Sequence, residues 1–461
     1  DKQNEILKLV DMELPKLNES MGEMMQSPLM LSLLAVLWVY GEIPESVTTT
    51  EVFMKVNHHL RGKLHSRILQ KKSTPNDDSL NTNICKFEEY LQEMAFLTFS
   101  RMETIFQEST IALLKDKMQE CKLDGFETEI LGHYLAARKG RKQLVPIIYY
   151  SYKHLRMHEY DASVHVCRVL ASGSEEDKAL ILKQLRDMRF NNIRIHTIAI
   201  MVESDALLLA KYGQTIVDCG KGWSEYRKLL TETKINSAVV DMVAPKMAWV
   251  KQWEANNISD VAAVVSVLHR TQPDTLRMYF YNQTVLPSFL PSYLCKISGH
   301  KLKLQLLLPS IPCSHRNSPK EVITMDHDDS LLAVSHPGAQ ATLVLFTGYL
   351  TGVALIQLPS SLEVLDIVVS ALELPLLWSR IPYLTQLRQL GITMRCTSLE
   401  SVTNLDHLQL PRTLDDFEIE LYDADDDHCP DIGCILHRCD YSRIAGRVGR
   451  YTLSLKEANV T

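Results

Sequence analysis

We predict from the sequence an α-rich, multidomain chain that ends in an α/β solenoid of short repeats. Three observations favour this fold class. With 461 residues, the chain is long enough for several domains with sizeable hydrophobic cores. Apolar residues recur at helical spacing in most segments up to about residue 265. In the last third, a short apolar pattern returns at intervals of 25 and 27 residues.

The composition and charge argue against several classes of protein. Hydrophobic residues make up 46% of the chain, which is typical of a globular protein and not of a disordered one. The net charge of −7 is unlike the basic surface that nucleic acid or an anionic membrane attracts, so neither is expected as a partner. The ten cysteines are scattered and no apolar signal segment opens the chain, so we expect reduced thiols and a cytoplasmic location.

A short apolar helix is predicted between Ser27 and Tyr40. Ser27 is a suitable N-cap, and Pro28 suits the first helical position, where a missing N–H costs nothing. Gly41 suits the left-handed conformation that ends a helix. Only Ser32 is polar between these signals, so we expect this helix to be buried on every face.

Two amphipathic helices and a polar loop are predicted next. Thr48 and Glu51 have the spacing of a capping box, and apolar residues follow at every fourth position. Residues 71–83 show no periodicity and are predicted to form a polar loop. A second helix is expected from about Ile84.

Further helices are predicted through the middle of the chain. The segment Gly125–Arg138 is interpreted as a helix, and the basic run Lys139–Lys142 as its end, where cations suit the helix dipole. Residues 144–265 are predicted to form helices in pairs, separated by polar or glycine-rich turns at 171–175 and 218–222.

The last third contains three copies of a Leu-x-x-Leu/Phe-x-Ile pattern. These copies are Leu362–Ile367, Leu387–Ile392 and Leu414–Ile419, and weaker copies are Thr275–Phe280 and Lys301–Leu304. One short strand per copy, followed by a return segment, is typical of a leucine-rich repeat. A generic α/β domain is the alternative.

Two segments of the sequence resemble motifs of the NACHT-domain NOD-like receptor family. The run from Ser27 to Leu34, Ser-Pro-Leu-Met-Leu-Ser-Leu-Leu, resembles the Pro-Leu motif near the end of the NACHT ATPase module. In that family the proline packs against adenine, so the resemblance implies an adenine contact for Pro28. Gly125–Arg138 resembles the motif that closes the winged-helix subdomain, where a histidine contacts the β-phosphate of ADP. Thr128 stands at the position of that histidine.

The resemblance also implies a division of the chain into four segments. Residues 1–44 would be the C-terminal helical part of the NACHT module, and residues 45–140 the winged-helix subdomain. Residues 141–235 would form a second helical domain. Residues 236–461 would form degenerate leucine-rich repeats.

The function that the resemblance implies is that of a fragment of an intracellular innate immune receptor. The repeats would sense protein partners or microbial and stress ligands, and would regulate nucleotide-dependent oligomerisation of the NACHT module. The chain has no Gly-x-x-x-x-Gly-Lys-Ser/Thr phosphate loop. We therefore expect no enzyme activity from it, and ADP or ATP only together with an upstream half. The alternative is a nucleotide-independent scaffold that binds proteins through its repeats.

A partner-binding face is expected on the repeats. In the three clear copies, polar residues lie between the inward Leu and Ile positions, and those assigned to partner binding are Glu363, Arg388, Asp415, Asp416 and Glu418. Polar exposed strands are normal for any solenoid. The sharper hypothesis is that this face binds a basic protein partner or the chain's own basic run Lys139–Lys142.

No metal site is predicted. Asp326–Asp329 is interpreted as a solvated acidic loop. The histidines and cysteines of His428–Cys439 lack the Cys-x-x-Cys spacing that most structural zinc sites use.

Overall fold

The computed structural model describes only part of the chain. The described residues are 28–39, 41, 48–72, 78–139, 148–255, 258–271, 273–279, 296–297, 302–307, 343–350, 353–370, 373–396, 410–423 and 450–456. They form a helix-rich chain with one long parallel sheet. Two compact units divide after Met247.

The described residues of the first unit form helices and one antiparallel pair of strands. In chain order its elements are α1 (Pro28–Val39), α2 (Thr49–Lys72), α3 (Asp78–Ser100), α4 (Glu108–Glu120), α5 (Glu127–Tyr134), β1 (Leu135–Lys139), β2 (Ile148–Tyr152), α6 (Leu155–Ser172), α7 (Glu175–Gln184), α8 (Asn191–Ser204), α9 (Ala206–Cys219), α10 (Trp223–Glu232) and α11 (Ser237–Met247). Helix α6 packs on both α3 and α8. The turns predicted near residues 173 and 220 are confirmed, since they separate α7 from α6 and α10 from α9.

Helix α1 has the predicted limits but not the predicted burial. Gly41 has a φ of +68° and its N–H donates to the carbonyl of Trp38, as expected for a glycine that ends a helix. Leu34 and Leu37 are buried, whereas Leu31 and Trp38 are only half-buried. Helix α2 packs against one face of α1. Because a single packed helix covers only one face, the residues on the other side of α1 are less buried than predicted.

Helix α2 begins with the predicted capping box and a second, long-range cap. The N–H of Thr48 donates to Glu51 at 3.0 Å, and the N–H of Glu51 donates to the Thr48 hydroxyl at 3.2 Å. The carboxylate of Glu232, at the end of α10, accepts the N–H groups of Thr49 and Thr50 at 3.2 and 3.0 Å. The N–H groups of Thr48, Thr49, Thr50 and Glu51 therefore all have side-chain acceptors at the start of α2.

Three local predictions for the first unit are wrong, and one of them is the helix expected over residues 148–152, which form strand β2. Helix α3 begins at Asp78, inside the predicted polar loop, because Leu80 and Ile84 are both buried and start its apolar stripe. Residues Leu135–Lys139 form strand β1, so Lys139 ends a strand and not a helix. Strand β1 pairs with the aromatic strand Ile148–Tyr152, and this tertiary pairing outweighs the helix propensity of its alanines. Residues 140–142 lie outside the described part.

Among the described residues of the second unit, eight strands pair in chain order. Its described elements are β3 (Gln252–Ala255), α12 (Ile258–Val267), β4 (Thr275–Tyr279), β5 (Lys303–Leu307), β6 (Leu343–Tyr349), α13 (Val353–Ile356), β7 (Val364–Ser370), α14 (Leu374–Arg380), β8 (Gln389–Cys396), β9 (Asp416–Asp423) and β10 (Arg450–Lys456). Each strand pairs in parallel with the next one along the chain, and the sheet order is β10-β9-β8-β7-β6-β5-β4-β3.

The three predicted repeat copies each contain a strand, and equivalent positions of neighbouring copies pair with one another. Leu365 pairs with Leu390, which pairs with Phe417. These three side chains are buried. The weaker copies fall on β4 and β5, where Leu276 pairs with Leu304. The spacing of the apolar pattern therefore equals the number of residues from one strand to the equivalent position on the next.

Candidate functional site

The two residues that the resemblance connects with nucleotide lie at the beginnings of two helices. Pro28 is the first residue of α1, as expected. Thr128 is exposed in the first turn of α5, between Glu127 and Glu129. A hydrogen bond from the Gly125 amide lowers the pKa of Glu127, and one from a lysine lowers the pKa of Glu129. The Thr128 hydroxyl is neutral, and neither of its sequence neighbours Glu127 and Glu129 adds positive charge for a phosphate.

The candidate partner-binding surface is the polar sheet face, defined as the outward face of strands β3 to β9. Along these strands a buried side chain alternates with a more exposed one, as Leu365 and Asp366 do on β7, except on β6, where Val344 and Leu345 are both half-buried. The described polar members of this face are Gln252, Glu254, Thr275, Arg277, Lys303, Gln305, Thr347, Asp366, Gln389, Asp416 and Glu418. One apolar face therefore forms the core of the sheet while the other presents hydrogen-bonding groups.

The structure brings the five predicted partner-binding residues to one end of this sheet. Glu363, Arg388 and Asp415 each precede a strand directly, and the main chain joins them in a row. The carbonyl of Glu363 accepts the N–H of Arg388, and the carbonyl of Arg388 accepts the N–H of Asp415, both at 2.8 Å. Asp416 and Glu418 follow on β9 and belong to the polar sheet face itself. The spacing of the repeats in the sequence was sufficient to predict that these residues lie close together.

The charges in this row alternate in sign, since Arg388 lies between the acidic Glu363 and Asp415. Glu363 accepts a hydrogen bond from the ammonium of Lys303 at 2.7 Å, across two strand spacings. Arg388 is exposed between Glu363 and Asp415. Ion pairs in solvent add little stability, but they leave less free charge for a partner. The net negative charge of this end of the sheet therefore comes from Asp366, which is exposed, and from the acidic residues of β9.

A glycine separates the two acidic positions in the centre of the polar sheet face. Asp366 pairs with Gly391, which pairs with Glu418, so the two carboxylates belong to strands on either side of β8. A Cβ atom at Gly391 would lie 2.8 Å from Oδ1 of Asp366. The missing side chain therefore gives the Asp366 carboxylate space over the backbone of β8.

The opposite end of the same face is held by an arginine. Nε of Arg277 donates to Gln305 at 2.6 Å, and Nη1 donates to the hydroxyl of Tyr279 at 3.0 Å. Glu254 on β3 lies 3.7 Å from the same guanidinium. The charge of Arg277 is thus shared among neighbouring side chains, whereas the acidic residues of β9 lie at the other end.

Sequence reasoning missed a buried polar group in the first unit. Glu88 is 5% exposed on α3 and accepts hydrogen bonds from Arg61 at 2.7 Å and from Tyr134 at 2.6 Å. Burial and the Glu88 charge raise the pKa of Tyr134 well above its usual value. One indication in the sequence is that Glu88 directly follows Phe87, which is buried on the same helix. Its neighbours on α2 and α5 have no sequence relationship that would identify them.

Neither a bilayer-spanning helix nor a cluster of metal ligands occurs among the described residues. Within the described ranges, no helix combines the length and the apolar character that crossing a bilayer requires. In the same ranges, no three His, Cys, Asp or Glu side chains are grouped in a way that would hold a metal ion. Asp326–Asp329, Asp425–Asp427 and His428–Cys439 lie outside the described residues.

Comparison of the sequence with protein-family models and with curated proteins found no match.

Proposed function

We propose that this chain is the C-terminal portion of a NOD-like receptor and that its sheet-containing unit is a leucine-rich-repeat sensor. The observation that carries the proposal is the strand pairing, in which Leu365, Leu390 and Phe417 occupy equivalent positions on neighbouring parallel strands. A parallel sheet whose strands follow chain order suits a stack of repeats, each adding one strand to the last. The preceding helical unit suits a helical subdomain, a winged helix and a second helical domain.

The proposed role is to bind a protein or a microbial or stress-derived ligand in the cytoplasm and thereby control oligomerisation of the parent receptor. The polar sheet face is the surface proposed for this contact, since its exposed strands present side chains at regular spacing. The nucleotide switch would reside upstream, where ADP or ATP would be held with Pro28 against the adenine. We propose no enzyme activity for this chain alone.

A nucleotide-independent scaffold is the second candidate, and one observation favours it. Thr128 occupies the family's histidine position, and its sequence neighbours are the acidic Glu127 and Glu129. A neutral hydroxyl there cannot supply the positive charge that a histidine offers to a phosphate. The coding sequence upstream of residue 1 distinguishes the two. A phosphate-loop motif there supports the receptor, and an upstream sequence without one supports the scaffold.

The polar sheet face is expected to prefer a basic partner at its C-terminal end. Reversing Asp415, Asp416 and Glu418 to lysine should weaken binding of a lysine-rich peptide by about tenfold or more, since charge-assisted contacts are lost. The measurement is a surface plasmon resonance titration at two salt concentrations. Wild-type binding should weaken as salt screens the charges.

A matched control for this variant makes the same change of charge elsewhere. The three exposed acidic residues Asp116, Glu176 and Glu203 belong to the first unit, and reversing them to lysine should leave peptide binding nearly unchanged. If both triple variants lose the same affinity, the effect comes from net charge and the sheet face is not the binding surface.

The nucleotide contact proposed for Pro28 predicts a modest change. In the parent receptor, Pro28→Ala should weaken ADP binding by about 1 kcal/mol, roughly fivefold, since a small apolar contact with adenine is removed. The helix should persist because its first position tolerates many residues. Calorimetric titration measures the affinity, and circular dichroism without nucleotide serves as the control. Unchanged affinity would remove Pro28 from the site.

A further inference from the structure

Three cationic side chains of the first unit lie on segments that meet at one buried histidine, since α2 packs against α5 and Lys153 contacts the main chain of His133. Lys63 and Arg67 lie one turn apart on the exposed side of α2, and Lys153 follows β2 directly. The ammonium of Lys153 donates to the carbonyl oxygen of His133, at the end of α5, at 2.5 Å. Burial lowers the pKa of the His133 imidazole, and the charges of Lys153, Arg67 and Lys63 lower it further. We call these four residues the basic cluster.

The basic cluster contains no compensating acid in the described part of the chain. The next cation along α2, Lys71, forms an ion pair with Glu129. Among the described residues, by contrast, no carboxylate pairs with Lys63, Arg67 or Lys153. Burial and the charge of Arg67 lower the pKa of Lys153. Like charges gathered without a counterion repel one another, so a bound anion would relieve this repulsion.

The histidine beneath the cluster gives a second, independent indication of a ligand. His133 is only 5% exposed, and a hydrogen bond with the backbone of Leu60 acts on its imidazole. Its Nε2 atom is buried and has no hydrogen-bond partner among the described residues. Nearly all buried polar atoms in folded proteins have a partner, and a native exception calls for an explanation such as an absent ion.

We propose that Lys63, Arg67, Lys153 and His133 form a binding site for a phosphate group. A guanidinium and two ammonium groups would donate charge-assisted hydrogen bonds to the phosphate oxygens. The nearby dianion would favour the imidazolium form of His133 and so give Nε2 a proton to donate. This site is separate from Thr128, which lies at the other end of α5, and it does not depend on the proposed receptor function.

The phosphate could belong to a soluble polyphosphate or to a lipid headgroup, and the experiment has an arm for each. The full chain is titrated with inorganic tripolyphosphate in a calorimeter at constant ionic strength. It is also sedimented with phosphatidylcholine vesicles that contain or lack a phosphoinositide. Binding in either arm supports the proposal and identifies the source. The absence of binding in both arms would overturn it.

Variants connect the binding to the basic cluster. Lys63→Gln with Arg67→Gln, and separately Lys153→Gln, should each weaken the binding by about tenfold or more. The control removes two exposed lysines elsewhere on the first unit, Lys115→Gln with Lys183→Gln, and should leave the affinity within about twofold of wild type. Equal losses in control and cluster variants would overturn the proposal. So would a glutamate-rich peptide that competes as well as tripolyphosphate, since the site would then suit an acidic protein segment.

Discussion

Replacing Arg194 with methionine is expected to lower the free energy of unfolding by about 3–5 kcal/mol. Arg194 is 2% exposed on α8, and its guanidinium binds both carboxylate oxygens of Glu225 on α10, at 2.6 and 2.8 Å. It also donates to the main-chain carbonyls of Leu185 and Asp187, just after α7, at 2.5 and 2.8 Å. One side chain thus holds three helical segments together.

The expected loss is large because the substitution leaves several groups without partners. Methionine fills a similar volume, but the Glu225 carboxylate, whose side chain is only 11% exposed, would lose its counterion. The carbonyl of Leu185 would lose its Arg194 donor as well, whereas that of Asp187 would keep the N–H of Phe190. Burying an unpaired charge costs more free energy than the original ion pair contributes. The measured loss is therefore mainly the cost of leaving Glu225 without a counterion, and not the net stabilisation by the pair.

An exposed arginine–aspartate pair provides the matched control. Arg189 binds Asp187 through two hydrogen bonds, with side chains 43% and 40% exposed. Arg189→Met should change stability little, because water replaces the lost contacts. Combining Arg194→Met with Glu225→Leu should recover part of the loss, since no buried charge remains. Guanidinium denaturation followed by circular dichroism measures all four proteins. An Arg194→Met variant as stable as Arg189→Met would contradict the proposed role.

The sequence predicted features that depend on neighbours along the chain. The Thr48 and Glu51 capping box and the left-handed Gly41 each depend on residues within one or two turns. The strand register of the three clear repeats was also predictable, because each copy repeats the same apolar spacing. In these cases the local pattern and the final packing favour the same conformation.

The features that were missed depend on residues distant in sequence. Glu232 caps α2 from 182 residues away, and no spacing rule connects it with Thr50. Strand β1 looked helical because its own residues favour a helix, and only pairing with β2 changes the outcome. The basic cluster around His133 likewise combines α2, α5 and the residue after β2. Such sites arise from tertiary contacts, which a single sequence does not specify locally.

The second large effect is expected for the pH dependence of stability, through Asp161 on α6. Asp161 is 6% exposed, and Asn57 donates a hydrogen bond to its carboxyl group at 3.0 Å. Burial raises the pKa of Asp161 from 3.8 to about 7, although hydrogen bonds from Asn57 and Tyr152 lower it and the charge of Glu88 raises it. The folded protein therefore holds a proton on Asp161 that the unfolded chain releases at a lower pH.

Four histidines, three of them buried and one half-buried (His165), titrate with the opposite sign in an overlapping range. Burial lowers the pKa of each of them from 6.5 to about 4, and they are His133, His158, His165 and His196. Their contribution to stability is present above pH 6.5 and is lost as the pH falls toward 4. The contribution of Asp161 is present below pH 3.8 and is lost as the pH rises through 7. A pH profile of the wild type alone would therefore mix the two effects.

The Asp161→Asn variant separates them, because the histidines contribute equally to both proteins. Asparagine keeps the size and a hydrogen-bonding group but does not ionise. Relative to the wild type, the variant should gain about 1.4 kcal/mol of stability for each pH unit between about 4 and 7, and no more above that range. Urea unfolding at a series of pH values measures the difference, and Asp116→Asn, an exposed position on α4, is the control. A difference between Asp161→Asn and wild type that stays constant across this range would show that Asp161 titrates alike in the folded and unfolded chain.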